Sequence, residues 1–86
     1  MTKAEKQYLS KVAELGCIIC KSPAEIHHIR TGMGIGQRNT NFMVLPLCPQ
    51  HHRTGGFGIA IHAGQKTWEK NFGTELELIE LVKARI

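Results

Sequence analysis

The chain has no aspartate. Its seven acidic residues are all Glu, set against eleven Lys and Arg, for a formal net charge of +4. Aromatic residues are scarce too, at 6% of the sequence, so few large side chains are available to fill a core. No apolar run approaches the roughly 18 residues that a membrane-crossing helix needs, which excludes a helical membrane span. Residues 1–11 are charged and carry no apolar stretch of the kind that marks a secretory signal, so a cytoplasmic location is expected. The three cysteines are an odd number in a chain without such a signal, which argues against a disulfide framework. With only 86 residues there is no room for a second domain, a doubly wound nucleotide-binding fold or a barrel, so a single domain over residues 1–86 is expected.

What is present is concentrated. Five His and three Cys all fall between Cys17 and His62. A domain of this size buries only about 60% of its unfolded-chain surface, so clustered metal-capable side chains suggest a structural ion that supplements a small core. From Ile26 to Trp68 there is no acidic residue, while Arg30, Arg38, Arg53 and Lys66 are basic. A positive field without carboxylates suits an anionic partner, and the phosphates of a nucleic acid fit that description.

The hydropathy pattern divides the chain into short elements. Tyr8, Leu9, Val12 and Leu15 recur at helical spacing and predict a helix over 3–15, ended by Gly16. Residues 24–29 read as a strand. The glycine-rich segment 31–36 and the polar residues 37–41 read as a loop, and 42–47 as a second strand with Pro46 near its end. A helical piece is expected to begin over 48–53, broken by the glycines at 55, 56 and 58, with a further helical piece over 59–72. Thr74 and Glu77 form a capping box that starts a last helix running to about Arg85, with Leu76, Ile79 and Leu81 or Val82 toward the core. Tyr8, Phe42, Trp68 and Phe72 are expected in the core, Trp68 and Phe72 sharing one helix face. The fold class is therefore α+β.

Cys17-x-x-Cys20 and Cys48-x-x-His51 are two ligand pairs of the same spacing, 28 residues apart. Each pair can present two ligands to one tetrahedral ion, and together they make a Cys₃His set suited to structural zinc. All three cysteines are used.

The remaining histidines carry a resemblance. His27 and His28 lie in the first expected strand, Asn41 precedes the second, and His52 lies on the helical piece that follows. This strand–loop–strand–helix order with His, Asn and His resembles the HNH, or ββα-metal, endonuclease superfamily. Within it the chain looks most like the phage recombination-enhancement (Ref-type) nucleases. The residues concerned are His-His-Ile-Arg-Thr-Gly at 27–32, Pro-Leu-Cys-Pro-Gln-His-His-Arg at 46–53 and Gly-Phe-Gly-Ile-Ala-Ile-His-Ala-Gly at 56–64. The resemblance covers residues 17–72 and implies a small zinc-stapled ββα-metal fold flanked by an N-terminal helix and C-terminal helices. It also implies metal-dependent hydrolysis of DNA phosphodiesters, with DNA and a recombinase filament as partners. His27 and His52 would hold the catalytic ion, His28 would activate water, Asn41 would orient that base, and His62 would be a third ligand. A neutral imidazole can accept a proton from water at physiological pH, and a bound cation can stabilise charge on the scissile phosphate. Adjacent residues of a regular strand point to opposite faces, so the roles of His27 and His28 stay interchangeable at this stage. Asn39 is a second candidate for the Asn role. Imidazole ligands favour Zn²⁺, Ni²⁺, Mn²⁺ or Co²⁺ over Mg²⁺, although enzymes of this superfamily often work with Mg²⁺ or Mn²⁺. Arg30, Arg38 and Arg53 would bind phosphates. The competing readings are a zinc-stapled DNA-binding module without chemistry and a zinc domain mediating protein contacts; neither has a use for His27, His28, His52 and His62 together.

Overall fold

A computed structural model describes residues 1–34, 37 and 39–86. The chain opens with helix α1, Lys3–Glu14. Thr2 caps its N-terminus, accepting from the Glu5 amide while Glu5 accepts from the Thr2 amide, so two otherwise orphaned donors are satisfied reciprocally. Gly16 follows in the left-handed region at φ 77, as the sequence predicts for the stop.

Strand β1 is Glu25–His28 and strand β2 is Val44–Leu47, paired antiparallel with Glu25 opposite Leu47 and His28 opposite Val44. Both are shorter than the hydropathy pattern indicates. Phe42 and Met43 belong to a turn closed from the Met43 amide to the Thr40 carbonyl, and Phe42 is 42% exposed, its ring edge-on to Tyr8 at 5.2 Å. Pro46 is the third of the four residues of β2, near its end as the sequence predicts, opposite Ile26. Its carbonyl accepts from the Ile18 amide at 2.9 Å, away from β1, so the missing N–H removes no ladder bond. All four residues of β2 are buried because α1 and α3 both pack on this strand.

After β2 the chain makes a five-residue π-helical turn, Gln50–Thr54, then a 3₁₀ turn, Ile61–Ala63. Helix α2, Gln65–Phe72, begins later than the helical piece expected from residue 59, because Gly64 breaks it. A Cβ at Gly64 would lie 2.8 Å from the Phe57 ring, so the glycine admits that aromatic. Helix α3, Glu75–Arg85, starts at the Thr74–Glu77 capping box that the sequence marks.

The inward face of α3 carries Ile79 and Val82 as expected, but not Leu76. Leu76 and Leu81 are about half exposed, whereas Leu78, Ile79 and Val82 are buried together with Glu75, a spacing of i, i+3, i+4 and i+7. Trp68 is fully buried and packs against Phe72. The molecule is thus a small α+β domain with a two-stranded sheet between helices. Among the described residues no helix is long and apolar enough to cross a membrane.

Candidate metal centres

The first centre lies between the end of α1 and the end of β2. A tight turn over Cys17–Ser22 is closed by bonds from the Cys17 amide to the Ser22 carbonyl and from the Lys21 amide to the Cys17 carbonyl, both 2.8 Å. A Cβ at Gly16 would come within 2.7 Å of the Lys21 carbonyl, so this close approach requires glycine. The turn brings both thiols toward Cys48 and His51, and the four donor atoms lie within 4.8 Å of one another. Cys20 Sγ is 3.6 Å from Cys48 Sγ, and His51 Nδ1 is 3.1 Å from Cys48 Sγ and 3.8 Å from Cys17 Sγ. With Zn–S near 2.3 Å and Zn–N near 2.0–2.1 Å, the edges of a tetrahedral site are about 3.8 Å for S···S and about 3.6 Å for S···N. The residues therefore fit a zinc ion. Hydrogen bonding by the Ser22 side chain, then by its backbone, lowers the Cys20 thiol to about 6, toward the thiolate that ligates metal, while burial pushes Cys48 up.

The second centre gathers His27 from β1, His52 from the π-helical turn and His62 from the 3₁₀ turn, again with donor atoms within 4.8 Å of one another. Ring centroids are 5.0 Å apart for His27–His52, 5.5 Å for His27–His62 and 4.3 Å for His52–His62. An ion held by imidazoles needs N···N edges of about 3.3 Å, so small ring movements close the set around one cation. Burial lowers His52 below the ordinary histidine value, more than the bond to Glu25 raises it. Burial and the neighbouring His52 and His27 lower His62 as well. Neutral rings are the ligating form.

Two carboxylates stand behind these rings. Glu25 accepts from His52 Nδ1 at 2.7 Å and from Arg53 through Nε and a terminal nitrogen at 2.8 and 3.1 Å. These bonds, Arg53 first and then His52, hold its carboxyl down at about 2. Glu75, at the start of α3 and 0% exposed, accepts from His27 Nε2 at 2.7 Å. Burial pushes the Glu75 carboxyl up, but the bonds from His27, Thr31 and the Arg30 amide outweigh it and leave the group below its ordinary value, ionised at neutral pH. The acid-free stretch of sequence is therefore not acid-free in space. The three candidate donors are imidazoles, yet two of the three rings rest on Glu residues from outside that stretch. Glu25 was findable, being two residues before His27 on the same strand face. Glu75 had no local signal, since the partners of its carboxylate lie 10 to 48 residues away.

His28 is not in the cluster. Its Nε2 is 2.8 Å from Asn41 Oδ1, and Asn41 Nδ2 donates to Glu5 at 2.7 Å. Asn41, not Asn39, therefore meets the histidine; the Asn39 side chain accepts from the Thr40 amide. Arg30 joins His27, Ile61, His62 and Gly64 in lining a cleft of about 510 Å³. Arg53 faces Glu25 and is 54% exposed. Arg38 lies outside the described residues.

Fold and donors together define a small α+β domain in which two Cys/His clusters could each hold a metal ion. The chain belongs to the DUF968 family, described as a protein of unknown function, whose model matches residues 1–84. It is 32% identical over 78 residues to the uncharacterized protein YdfU of Escherichia coli (strain K12), a match covering 87% of this chain and 21% of that protein. The chain thus spans about a fifth of the length of this curated relative. No solved structure matches it.

Proposed function

We propose that the chain is a metal-dependent DNA endonuclease of the HNH, ββα-metal type. The observation that carries this reading is the convergence of His27, His52 and His62 beside a cleft bordered by Arg30, with an Asn-bound histidine, His28, next in the chain. The antiparallel strands followed by the π-helical turn stand for the ββα unit, and the Cys₃His zinc holds its two ends. A divalent ion on the three imidazoles supplies Lewis-acid stabilisation of the scissile phosphate and leaving oxygen.

The chain's own residues prepare the proton transfer. Glu5 accepts from Asn41 Nδ2, which fixes the amide so that Oδ1 faces His28. His28 Nε2 then carries the hydrogen, and its Nδ1 is left to accept a proton from water. Arg30, on the cleft, offers a guanidinium to a phosphate. Base and metal must act on one phosphate, so the water that His28 activates has to lie within hydrogen-bond reach of its Nδ1 and beside the cluster at the end of β1.

The test is cleavage of plasmid and single-stranded DNA with Mg²⁺, Mn²⁺, Ni²⁺ or Zn²⁺ by wild type, His28→Ala and His27→Ala. Loss of the base should slow cleavage by about 10²–10⁴-fold while metal binding survives. His27→Ala should lose the metal. Unchanged cleavage by His28→Ala removes His28 as base. DNA binding without cleavage under every metal replaces the enzyme with a binding module.

A further inference from the structure

Glu75 is the one acidic side chain among the described residues that is fully buried, and it shares the buried face of α3 with Leu78, Ile79 and Val82. A carboxylate buried this way is stabilised only by a full set of donors. Oε1 accepts from the Arg30 amide at 2.8 Å, the Thr31 amide at 2.9 Å, the Thr31 hydroxyl at 2.7 Å and Gln65 Nε2 at 3.2 Å. Oε2 accepts from His27 at 2.7 Å. The four donors on Oε1 fix the carboxylate against the exit of β1 and the start of α2. That leaves Oε2 in one orientation, aimed at the ring that belongs to the three-histidine cluster.

We propose that Glu75 is the positioning residue of that cluster: its carboxylate keeps the hydrogen of His27 on Nε2, so that Nδ1 presents its lone pair to the metal. This rests on the reading of the cluster as a metal site. The carboxylate also makes the imidazole a stronger donor, as a carboxylate behind a ligating histidine does generally. Glu25 plays the mirror part for His52, whose Nδ1 is engaged and whose Nε2 is therefore the ligating atom. Because Glu75 comes from α3, the last helix of the chain reaches the metal site through a hydrogen bond and not through a ligand of its own.

The substitution that separates positioning from support is Glu75→Gln. The amide keeps the side chain's shape. Its oxygen stays with the four donors around Arg30, Thr31 and Gln65, so its NH₂ must face His27. A donor there forces the ring hydrogen onto Nδ1 and removes the lone pair from the metal. Ni²⁺ titrated calorimetrically into the zinc-loaded chain should bind about 10–100-fold more weakly in Glu75→Gln than in wild type. Thr31→Val, which loses another bond to the same carboxylate without touching His27, should leave the Ni²⁺ affinity unchanged. Equal affinity for wild type and Glu75→Gln, or an equal loss in Thr31→Val, overturns the proposal. The wild-type chain gives a reading that needs no folded variant. Long-range ¹H–¹⁵N correlation of the metal-free protein should show His27 as the Nε2–H tautomer, and the Nδ1–H tautomer would overturn the assignment. Ni²⁺ uptake without DNA cleavage would refute the nuclease and leave this proposal standing, whereas a wild-type chain that takes up no Ni²⁺ refutes both.

Discussion

Glu5 shows how much one side chain can connect in a chain this short. At the third position of α1 it closes the capping box with Thr2, and its second oxygen holds Asn41, 36 residues away. Hydrogen bonding by the Thr2 backbone, then by the Asn41 and Thr2 side chains, lowers its carboxyl to about 2. The sign of the consequence follows from linkage. A carboxyl bound less tightly to its proton in the folded state than in the unfolded chain stabilises the fold fully above the unfolded value of 4.5, and loses that contribution as pH falls from 4.5 toward 2. Glu25 titrates over the same window, so the wild-type melting curve alone does not isolate Glu5. The difference between wild type and Glu5→Gln does. The variant should melt lower at pH 7, and the gap in Tm followed by circular dichroism should shrink below pH 4.5. A gap that stays constant across that range would show that the charge of Glu5 contributes nothing. The variant's amide oxygen can keep the helix cap, so its NH₂ meets Asn41 and turns that amide over, and His28 should lose the Oδ1 acceptor that fixes its tautomer.

Among the elements, the π-helical turn does the most with the fewest residues. It places His51 against the thiols and His52 against His27 and His62, so two consecutive side chains serve different clusters. The wide turn closes with a bond from the Gly55 amide to the Gln50 carbonyl at 3.0 Å, and π-helical turns of this kind recur at functional sites. A Cβ on Gly55 would stand 2.5 Å from that carbonyl and 2.7 Å from Ile59 Cγ2. Gly55→Ala should therefore cost about 1–3 kcal/mol, the usual range for forced overpacking, and weaken both metal sites together. Denaturant melts would give the first effect. Cobalt–thiolate absorbance and Ni²⁺ calorimetry would give the second, and weakening of one site alone would show that the turn does not couple them. Elements whose cause is local were legible in the sequence: the two ligand pairs from their spacing, α3's start from its capping box, β2 from its apolar run. What escaped was set by distant partners. The helix expected from residue 59 is interrupted at Gly64, and α3 turns Glu75 inward because donors at His27, Arg30 and Thr31 await it. Hydropathy assigns a glutamate to solvent, and only the folded arrangement supplies the hydrogen bonds that reverse the assignment.

For the whole molecule, the small core and the crowd of metal-capable side chains belong to one solution. The apolar core draws on α1, β2, α2 and α3, yet each contributes only a few buried residues, and a chain of this size has little stability from burial alone. The Cys₃His cluster ties the segment after α1 to the segment after β2, closing a loop that contains the whole sheet. Metal bound there counts as folding energy, because the unfolded chain offers no preformed site. The three-histidine cluster is different in kind. Two of its rings are already held by Glu25 and Glu75 before any ion arrives, so its arrangement does not depend on metal to the same degree. The two sites should therefore respond to chelation to different degrees. The purified chain should release one zinc per molecule when its thiols are modified. Removing that zinc with a strong chelator should abolish the cooperative melt followed by far-UV circular dichroism, and Cys48→Ser should reproduce the loss, since its thiol is buried among the ligands. Stripping metal from the histidine cluster alone should lower Tm only by the mass-action term for a ligand that binds the folded state. A chelated chain that still melted cooperatively at the zinc-bound temperature would mean that the core suffices without its staple. The Cys₃His set would then have to be explained by something other than stability.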